Sequence, residues 1–309
     1  MTILVNPGAG GGTGLKKWEA IASRVRDLTG PFAEVITSDL AGMESAVDAA
    51  LGAGEAHFVA AGGDGTFNSL ANHVLLRVQD PSSAGIVLGA IGLGSSNDLH
   101  KPWNGREIFD GSPTMLDFTA ARPRDVGVAA YDHHGERCSR VFLINASAGV
   151  TAEANLFFNH PDTVLGWLKG RSTALAIAYA ALRTIMRFKN QAVEVSSAES
   201  GRFTSTLTNV GIVKNPHFSG DLRYPGEADY ANGQFSVYLF DGLKRSGLIR
   251  LMKALSKGEL PRGLAARVWP SQSLEISSES PIAVESDGEV VRTRSVAFHI
   301  LPQHLMVCP

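Results

Sequence analysis

The chain has 309 residues, more than a single domain usually holds, so we expect two domains. Hydrophobic residues make up 44% of it and charged residues 19%, and the net charge of −2 gives no electrostatic reason to expect a nucleic acid as partner. The two cysteines, Cys138 and Cys308, are too few for a disulfide framework and lack metal-ligand spacing, which favours a reducing, cytoplasmic location.

The sequence shows no pattern of a signal peptide or of a membrane span. Residues 1–6 lead directly into a strand pattern, without a basic region followed by a long apolar segment. The longest apolar stretch, residues 173–186, is interrupted by Arg183 and is too short to cross a bilayer.

A strand pattern at residues 3–5 leads into a glycine-rich loop that begins with Asn6 and Pro7, and apolar residues at helical spacing follow. By itself, Asn-Pro-Gly is also a plain turn. A strand pattern at residues 33–37 and a helical one at residues 43–51 come next. Strands that alternate with helices predict a parallel sheet with a ligand site at the carboxyl ends of its strands.

The strongest motif follows the strand pattern at residues 58–61 and surrounds Asp64. Its other members are three glycines and a threonine: Gly62, Gly63, Gly65 and Thr66. We expect the glycines to take positive φ and to present backbone N–H groups at a helix start, where a phosphate is stabilised. A carboxylate would repel a bare phosphate, so Asp64 predicts a Mg²⁺ ion that bridges the two. The alternative is a glycine-rich turn in which Asp64 only caps the helix.

A second motif, residues 92–99, follows the strand pattern at residues 84–91. Small residues again allow close approach to the backbone, and hydroxyl and amide groups supply hydrogen bonds. The binding candidates are Gly94, Ser95, Ser96 and Asn97. Asp98 adds a second carboxylate. Asp117 lies at the end of a later strand pattern, where an Asp often just closes a strand.

From residue 122 onward, short strand patterns separated by turns predict a second, largely antiparallel domain. Residues 165–188 differ, because their alanine-rich pattern predicts one long helix. The bulky apolar residues on one face of this helix are Leu175, Tyr179, Leu182 and Met186. We expect that face to lie in the core, and a lipid-facing wall is the alternative.

The last motif is Asp287-Gly288-Glu289. Read alone, Asp-Gly between two strand patterns is a hairpin turn. Replacement of Glu285, four residues before Glu289, by Gln is expected to have little effect. Asp221, in an earlier loop, is by itself more typical of a turn than of a metal site.

These motifs, in their order along the chain, resemble the signatures of the superfamily that holds diacylglycerol kinases, sphingosine kinases and NAD kinases, and the whole resembles bacterial diacylglycerol kinases. The resemblance covers almost the full length. It implies an α/β nucleotide-binding domain at residues 1–120, to which residues 302–309 or so return. It also implies a mostly antiparallel, β-sandwich-like acceptor domain at residues 121–301, with a cleft between the two.

The resemblance further implies transfer of the γ-phosphoryl group of ATP, with Mg²⁺, to a lipid hydroxyl, that of a diacylglycerol-like lipid. Glu289 would be the general base, Asp287 a supporting acid, and Asp64 a catalytic metal ligand. The implied nucleotide contacts are Asn6, Pro7, Gly62, Gly63, Gly65, Thr66, Gly94, Ser95, Ser96 and Asn97. The implied metal ligands are Asp64, Asp98, Asp117 and Asp221.

The chain also departs from the family pattern. Gly92 stands where the family usually has Pro, Ser95 replaces Thr, and Asn232 replaces the Asp of an Asp-Gly turn. Lys101 replaces an Arg, which keeps the charge without the bidentate fork.

Two alternatives therefore stay open. One is a kinase of another hydroxyl acceptor, such as a sphingoid base or NAD, and the other is a catalytically silent regulator that binds a nucleotide or a lipid. The expected partners are ATP and a lipid acceptor, with peripheral contact at the inner membrane face and no nucleic acid. A homodimer is compatible with the sequence.

Overall fold

The computed structural model describes residues 1–37, 39–102, 107–133 and 135–309. The chain divides into two compact units. Unit 1 consists of Met1–Val126 together with Pro302–Pro309, and unit 2 consists of Gly127–Leu301. Unit 1 is therefore built from two separate stretches of chain.

Strands and helices alternate in unit 1, and strands dominate unit 2. The strands are β1 (Thr2–Val5), β2 (Ala33–Ile36), β3 (His57–Gly62), β4 (Val87–Gly92), β5 (Ile108–Phe109), β6 (Ser112–Met115), β7 (Arg122–His133), β8 (Glu136–Phe142), β9 (Asn145–Gly149), β10 (Gln191–Ser197), β11 (Gly201–Val213), β12 (His217–Phe218), β13 (Leu222–Arg223), β14 (Phe235–Asp241), β15 (Ala266–Ser271), β16 (Ser273–Ser286) and β17 (Glu289–Val307). The helices are α1 (Ala9–Gly12), α2 (Gly14–Thr29), α3 (Leu40–Gly52), α4 (Asp64–Arg77), α5 (Val150–Asn159), α6 (Thr163–Lys169), α7 (Thr173–Arg187) and α8 (Arg245–Leu255), with 3₁₀ turns at Asp98–His100 and Phe118–Ala120.

Unit 1 contains a parallel sheet in the order β2, β1, β3, β4, and Met306–Val307 of β17 pair with the other side of β4. β1, β3 and β4 read as nearly continuous apolar runs because they are buried on both faces, whereas the edge strand β2 is largely exposed. Trp18 and Ile21 of α2 pack into the same core as Ile3 and Val59.

The parallel pairing brings the loops after Val5, Gly62 and Gly92 to the same edge of the sheet. β1 has β2 on one side and β3 on the other, so the strand order reverses at β1. In open α/β sheets, ligands bind outside the carboxyl ends of the strands at such a switch point. The first glycine-rich loop and the Asp64 motif both lie there.

Unit 2 is built from antiparallel strands. Its main sheet runs β15, β14, β11, β10, β16, β17, and β8 pairs with β7. β10 and β9 follow one another along β11: β10 pairs with residues 201–207 and β9 with residues 209–213. Both also pair with β16: β10 pairs with residues 275–277 and β9 with residues 284–286. The core side chains include Phe142, Val195, Phe235 and Phe298.

The expectation of one long helix at residues 165–188 is wrong, because the chain forms α6 and α7 there. The side chain of Ser172 accepts the Leu175 N–H at 3.4 Å and so caps a new helix. The two helices pack against each other through Leu165, Ala176 and Ala180.

No helix in the described parts of the chain has the length and apolar character needed to cross a membrane.

Candidate functional site

Asn6 ties the loop after β1 to the start of α4. Its Nδ2 donates to the Thr66 hydroxyl oxygen at 3.0 Å, and its Oδ1 accepts the Gly8 N–H at 2.9 Å. Since Asn6 directly follows β1 and Thr66 lies in the first turn of α4, this bond spans the switch point of the sheet. Pro7 follows Asn6 in the same loop and is half-buried.

Helix α4 begins at Asp64, inside the glycine motif. Its N-cap residue is Gly63, which has no side chain to cap the helix, and a Cβ added to Gly65 would meet no atom within 4 Å. The first N–H groups of a helix attract anions. The start of α4 therefore offers an open position for a phosphate group.

The expectation of positive φ is wrong for all three glycines of this motif. Gly63 has φ −92° and ψ −177°, an extended conformation, and Gly62 and Gly65 do not have positive φ either. Glycine is needed for space instead. A Cβ on Gly62 would overlap the Thr66 side chain, and one on Gly94 would lie 2.6 Å from the Cα of Gly63. The loops after β3 and β4 touch at this point.

The carboxylate of Asp64 joins the first motif to the second. Its Oδ2 accepts the Asp98 N–H at 3.0 Å and its Oδ1 accepts the Leu99 N–H at 2.9 Å, across 34 residues of sequence in the first case. A carboxylate has about four lone-pair positions, and these two contacts take two of them. Asp64 thus shapes the loop whatever else it binds.

Asn97 holds the second motif together through hydrogen bonds between its side chain and the backbone of the motif. It has the left-handed φ of 50° and is 8% exposed. Its Oδ1 accepts the Gly94 N–H at 3.0 Å, and its Nδ2 donates to the carbonyl oxygens of Gly92 and Gly94 at 3.2 Å each. Ser95, in contrast, is exposed at the tip of the loop.

Asp98 is buried and forms an ion pair with Lys101 at 2.8 Å. The Ser96 hydroxyl donates to its Oδ2 at 2.5 Å. Lys101, which the sequence offered as a charge for phosphate, is therefore engaged with a carboxylate. Asp98 is correspondingly a weaker metal candidate than Asp64.

The sequence reasoning missed Lys17. This residue lies early in α2, and its Nζ donates to the Leu93 carbonyl oxygen at 3.2 Å. A Cβ added to Gly10 would lie 3.2 Å from the same Nζ. The ammonium group is thus placed between the loop after β1 and the loop after β4. A lysine shortly after a glycine-rich loop was a signal that the sequence contained.

Asp117 has a local structural role, and Asp221 lies at the surface. Asp117 caps a 3₁₀ turn, where its Oδ1 accepts the Thr119 hydroxyl at 2.7 Å and the Ala120 N–H at 3.1 Å. These bonds hold its pKa below the usual value. Asp221 is exposed. Among the described residues, no group of three or more His, Cys, Asp or Glu side chains could hold a metal.

In unit 2, Asp287 and Gly288 form the turn between β16 and β17. Their φ values are 45° and 93°, as a type I′ turn requires, and Ser286 pairs with Glu289 across it. The Asp287 carboxylate accepts N–H groups of Leu143 at 2.8 Å, Ile144 at 3.1 Å and Asn145 at 3.0 Å. The local hairpin interpretation is correct, and Asp287 fixes the turn to the segment between β8 and β9.

Glu285 is the second residue that the sequence reasoning missed. It is 3% exposed, and its carboxyl group accepts the Ser147 hydroxyl at 2.8 Å and the Gly288 N–H at 2.5 Å. Burial raises its pKa to about 7. Strand alternation gave no signal for this, since Val284 on the opposite face is buried too. Its contact to the Gly288 N–H gives Glu285 a structural role in the turn that carries Glu289.

Glu289 follows the turn and is accessible. Its side chain is 57% exposed and lies 3.9 Å from the Arg140 guanidinium. The turn that carries it is held by Asp287, by Glu285 and by Asn159, whose Nδ2 donates to the Gly288 carbonyl oxygen at 3.0 Å. Glu289 is therefore an exposed carboxylate on a turn that these contacts hold in place.

Known proteins share both units. Residues 1–129 match the diacylglycerol kinase catalytic domain, and residues 145–309 match the YegS C-terminal NAD kinase beta sandwich-like domain. A diacylglycerol kinase of Staphylococcus haemolyticus (strain JCSC1435) is 24% identical over 260 residues, which are 81% of this chain and 70% of the relative.

Solved structures share the fold. A candidate diacylglycerol kinase from Bacillus anthracis str. Sterne superposes with a TM-score of 0.70 at 18% identity, over 99% of this chain and 94% of that one. A diacylglycerol kinase from the same organism gives a TM-score of 0.65 at 16% identity, over 99% and 95%. The fold class predicted from the sequence is confirmed.

The chain belongs to the diacylglycerol kinase family, in which a catalytic domain is followed by an NAD kinase-like β-sandwich domain. It is a lipid kinase, a phosphotransferase with an alcohol group as acceptor. The family predicted from the sequence motifs is thereby confirmed.

Proposed function

We propose that the protein transfers the γ-phosphoryl group of ATP to the hydroxyl group of a diacylglycerol-like lipid. The observation that carries the proposal is the joining of three loops at the carboxyl edge of the parallel sheet. Asn6 joins the first to α4, Asp64 joins the second to the third, and Lys17 joins the third to α2. Phosphoryl transfer requires mainly such positioning, together with charge neutralisation.

In this proposal the nucleotide phosphates lie beside these loops. Gly11 and Gly12 in the first loop, and Gly65 at the start of α4, have nothing within 4 Å of an added Cβ. The helix N-terminus and the Lys17 ammonium both favour negative charge there. In this proposal Ser95 and Ser96 offer hydroxyl groups, while Asn97 keeps the loop in shape.

Asp64 is the proposed ligand of Mg²⁺. This ion commonly uses one or two protein carboxylates together with substrate phosphates, so a site without a cluster of acidic ligands fits it. When bound, Mg²⁺ offsets negative charge on the group that is transferred. Asp98 is the second candidate. Asp117 and Asp221 are not part of this proposal. The first caps a turn, and the second is exposed and belongs to no group of three or more possible ligands among the described residues.

Glu289 is the proposed general base, and Asp287 holds the turn that positions it. A lipid hydroxyl is too weak an acid to ionise in advance, so its proton must leave as the phosphoryl group arrives. The name of the Staphylococcus haemolyticus relative supports diacylglycerol as the acceptor. Since that lipid resides in membranes, we place the protein in the cytoplasm, at the inner membrane face.

The test offers the purified chain ATP with diacylglycerol, a sphingoid base or NAD, with and without Mg²⁺, and follows ADP. We expect Mg²⁺-dependent ADP formation that is fastest with diacylglycerol. A faster reaction with NAD or the sphingoid base would show that this compound, and not diacylglycerol, is the preferred acceptor. Nucleotide binding without turnover on any acceptor would favour a silent regulator.

A calorimetric titration tests the nucleotide position. Lys17→Met should weaken binding of a non-hydrolysable ATP analogue by roughly tenfold or more, the size expected for a lost charge-assisted hydrogen bond. The matched control is Lys16→Met, because Lys16 is the exposed neighbour in the same helix. Equal affinities of the two variants would mean that the nucleotide phosphates do not bind beside Lys17.

A further inference from the structure

Helix α7 exposes an apolar side. Among its residues with described side chains, the exposed ones are Ala174, Leu175, Ala178, Leu182, Met186 and Arg187. The large apolar side chains of Leu175, Leu182 and Met186 are 59%, 56% and 50% exposed, respectively. The expectation that this face lies in the core is wrong, because Ala176, Ala180 and Ile185 on another side of the helix are buried instead. The outer side of a surface helix is normally polar.

Helix α6 continues the pattern. Val164 is 50% exposed and Trp167 is 56% exposed, while Leu165 between them is buried against α7. Two consecutive helices therefore pack on each other and still leave large apolar side chains in solvent. Exposed apolar patches of this kind mark interaction surfaces.

The charged residues of α6, of α7 and of the segment between them are all basic. Residues 163–189 contain no Asp or Glu and five basic residues. These are Lys169, Arg171, Arg183, Arg187 and Lys189. Arg183 forms an ion pair with Asp162, and the Arg171 guanidinium lies 3.9 Å from the centre of the Trp167 ring. Tryptophan beside basic residues is typical of the membrane–water interface.

We propose that α6 and α7 form the surface by which the protein docks on an anionic membrane. Apolar side chains that enter the headgroup boundary and basic residues that meet anionic lipid are the two features of interfacial helices. This inference rests on the proposed function only for its purpose, because the surface would bring a membrane-resident acceptor to the enzyme. Binding itself requires neither ATP nor an acceptor.

The first experiment measures sedimentation of the full chain with vesicles of phosphatidylglycerol and phosphatidylcholine that contain no diacylglycerol. We expect the wild type to bind and Leu182→Glu to lower the affinity by roughly tenfold or more. The matched control is Leu76→Glu, which introduces the same charge at a 75% exposed leucine of α4 and should bind like wild type.

The basic residues are tested in the same assay. Lys169→Gln combined with Arg171→Gln should lower binding to the anionic vesicles by roughly tenfold and should reduce its salt dependence. Lys257→Gln combined with Arg262→Gln changes the same residue types at exposed positions outside these helices and is the control.

A third measurement separates docking from catalysis. Leu182→Glu should keep wild-type activity on a dispersed short-chain diacylglycerol and lose activity on a long-chain one in vesicles. Vesicle binding without any kinase activity would overturn the proposed function and leave the surface in place.

Three results would overturn the docking surface. They are absence of wild-type binding to the anionic vesicles, equal binding by Leu182→Glu and Leu76→Glu, and equal loss of activity on both acceptors. Sedimentation equilibrium adds a fourth: a dimer that Leu182→Glu dissociates would assign the surface to a second copy of the chain.

Discussion

Single carboxylates hold the backbone at both candidate sites. Asp64 accepts two N–H groups of the second motif, Asp287 accepts three at the junction of β8 and β9, and Glu285 accepts one in the turn before Glu289. Hydrogen bonds to charged groups contribute about 1.5–3 kcal/mol each. At this scale, a change of activity has to be separated from a change of loop shape.

Asp64→Asn should lower kcat by roughly 10²-fold or more, because the amide cannot provide the charge that we assign to Mg²⁺ binding. Steady-state kinetics over a range of Mg²⁺ concentrations is the measurement, and a metal role predicts a raised Mg²⁺ requirement. Asp39→Asn is the control, since Asp39 also accepts a backbone N–H at a helix start, that of Gly42 at 2.7 Å. Near-normal activity of Asp64→Asn at ordinary Mg²⁺ levels would remove the metal role.

Glu289→Gln should lower kcat by about 10²–10⁴-fold while the affinity for ATP stays nearly constant, because glutamine keeps the shape but cannot accept the proton. Kinetics and nucleotide titration of the same preparation check this. The control is Glu279→Gln, at an exposed position of β16. If Glu289→Gln keeps the wild-type kcat with the best acceptor, the general base has to be sought among the aspartates of unit 1.

Glu285→Gln should change how stability depends on pH. The pKa of Glu285 is raised from 4.5 to about 7 in the folded chain, mainly by burial, with Asp287 adding to the effect and Tyr224 nearby. Between these values the unfolded chain loses the proton first, so the wild-type free energy of unfolding falls as pH rises, by roughly 3 kcal/mol in all.

Urea unfolding at pH 4.5, 6 and 8 measures this effect. The difference between Glu285→Gln and wild type should grow in favour of the variant as pH rises through about 7. The same series on Glu279→Gln should run parallel to wild type. A parallel profile for Glu285→Gln would mean that Glu285 is ionised in the folded chain.

At the scale of elements, the site depends on how closely two loops approach. The loop after β3 and the loop after β4 touch at Gly63 and Gly94, and Asp64 fastens them. This contact joins two loops that are far apart in the sequence. The parallel sheet supplies it by placing β3 and β4 side by side, with Gly62 in register with Gly92.

Gly94→Ala should weaken binding of the ATP analogue by roughly tenfold or more and lower the melting temperature, because the added Cβ would lie 2.6 Å from the Gly63 Cα. Calorimetry and thermal unfolding are the measurements. Gly65→Ala has nothing within 4 Å of its Cβ and stands in the first turn of α4, so it should fold at least as stably as wild type. Normal affinity in Gly94→Ala would show that the loop contact does not shape the site.

At the scale of the whole molecule, unit 1 is completed by the end of the chain. Met306 and Val307 pair with Val87 and Leu88, and Cys308 donates its N–H to the Leu88 carbonyl oxygen at 2.9 Å. The side chains of Leu305, Val307 and Cys308 are at most 1% exposed.

Removal of residues 302–309 should destabilise unit 1 by several kcal/mol, since each large buried side chain contributes about 1.5–3 kcal/mol. Binding of the ATP analogue should be lost with it. Limited proteolysis and calorimetry check this, with removal of the exposed Pro309 alone as the control. Full nucleotide affinity in the shorter chain would show that unit 1 does not need this strand.

The sequence by itself determined the features that depend on neighbouring residues. Apolar runs predicted β1, β3 and β4, because strands buried on both faces must be apolar throughout. Asp287-Gly288 predicted a hairpin turn, since those residues tolerate the positive φ that a type I′ turn needs. The motifs at the strand ends, read in order, also identified the family.

Only the tertiary structure decided which distant groups meet. The partners of Asp64 lie 34 and 35 residues away, and Lys17 meets a carbonyl group 76 residues away. Glu285 accepts the Ser147 hydroxyl because β9 pairs with the end of β16, and no local pattern in the sequence predicts that pairing. The apolar side of α7 is exposed although its spacing resembles that of a core helix. Local periodicity reports which residues share a face, whereas burial of that face depends on what the rest of the chain packs against it.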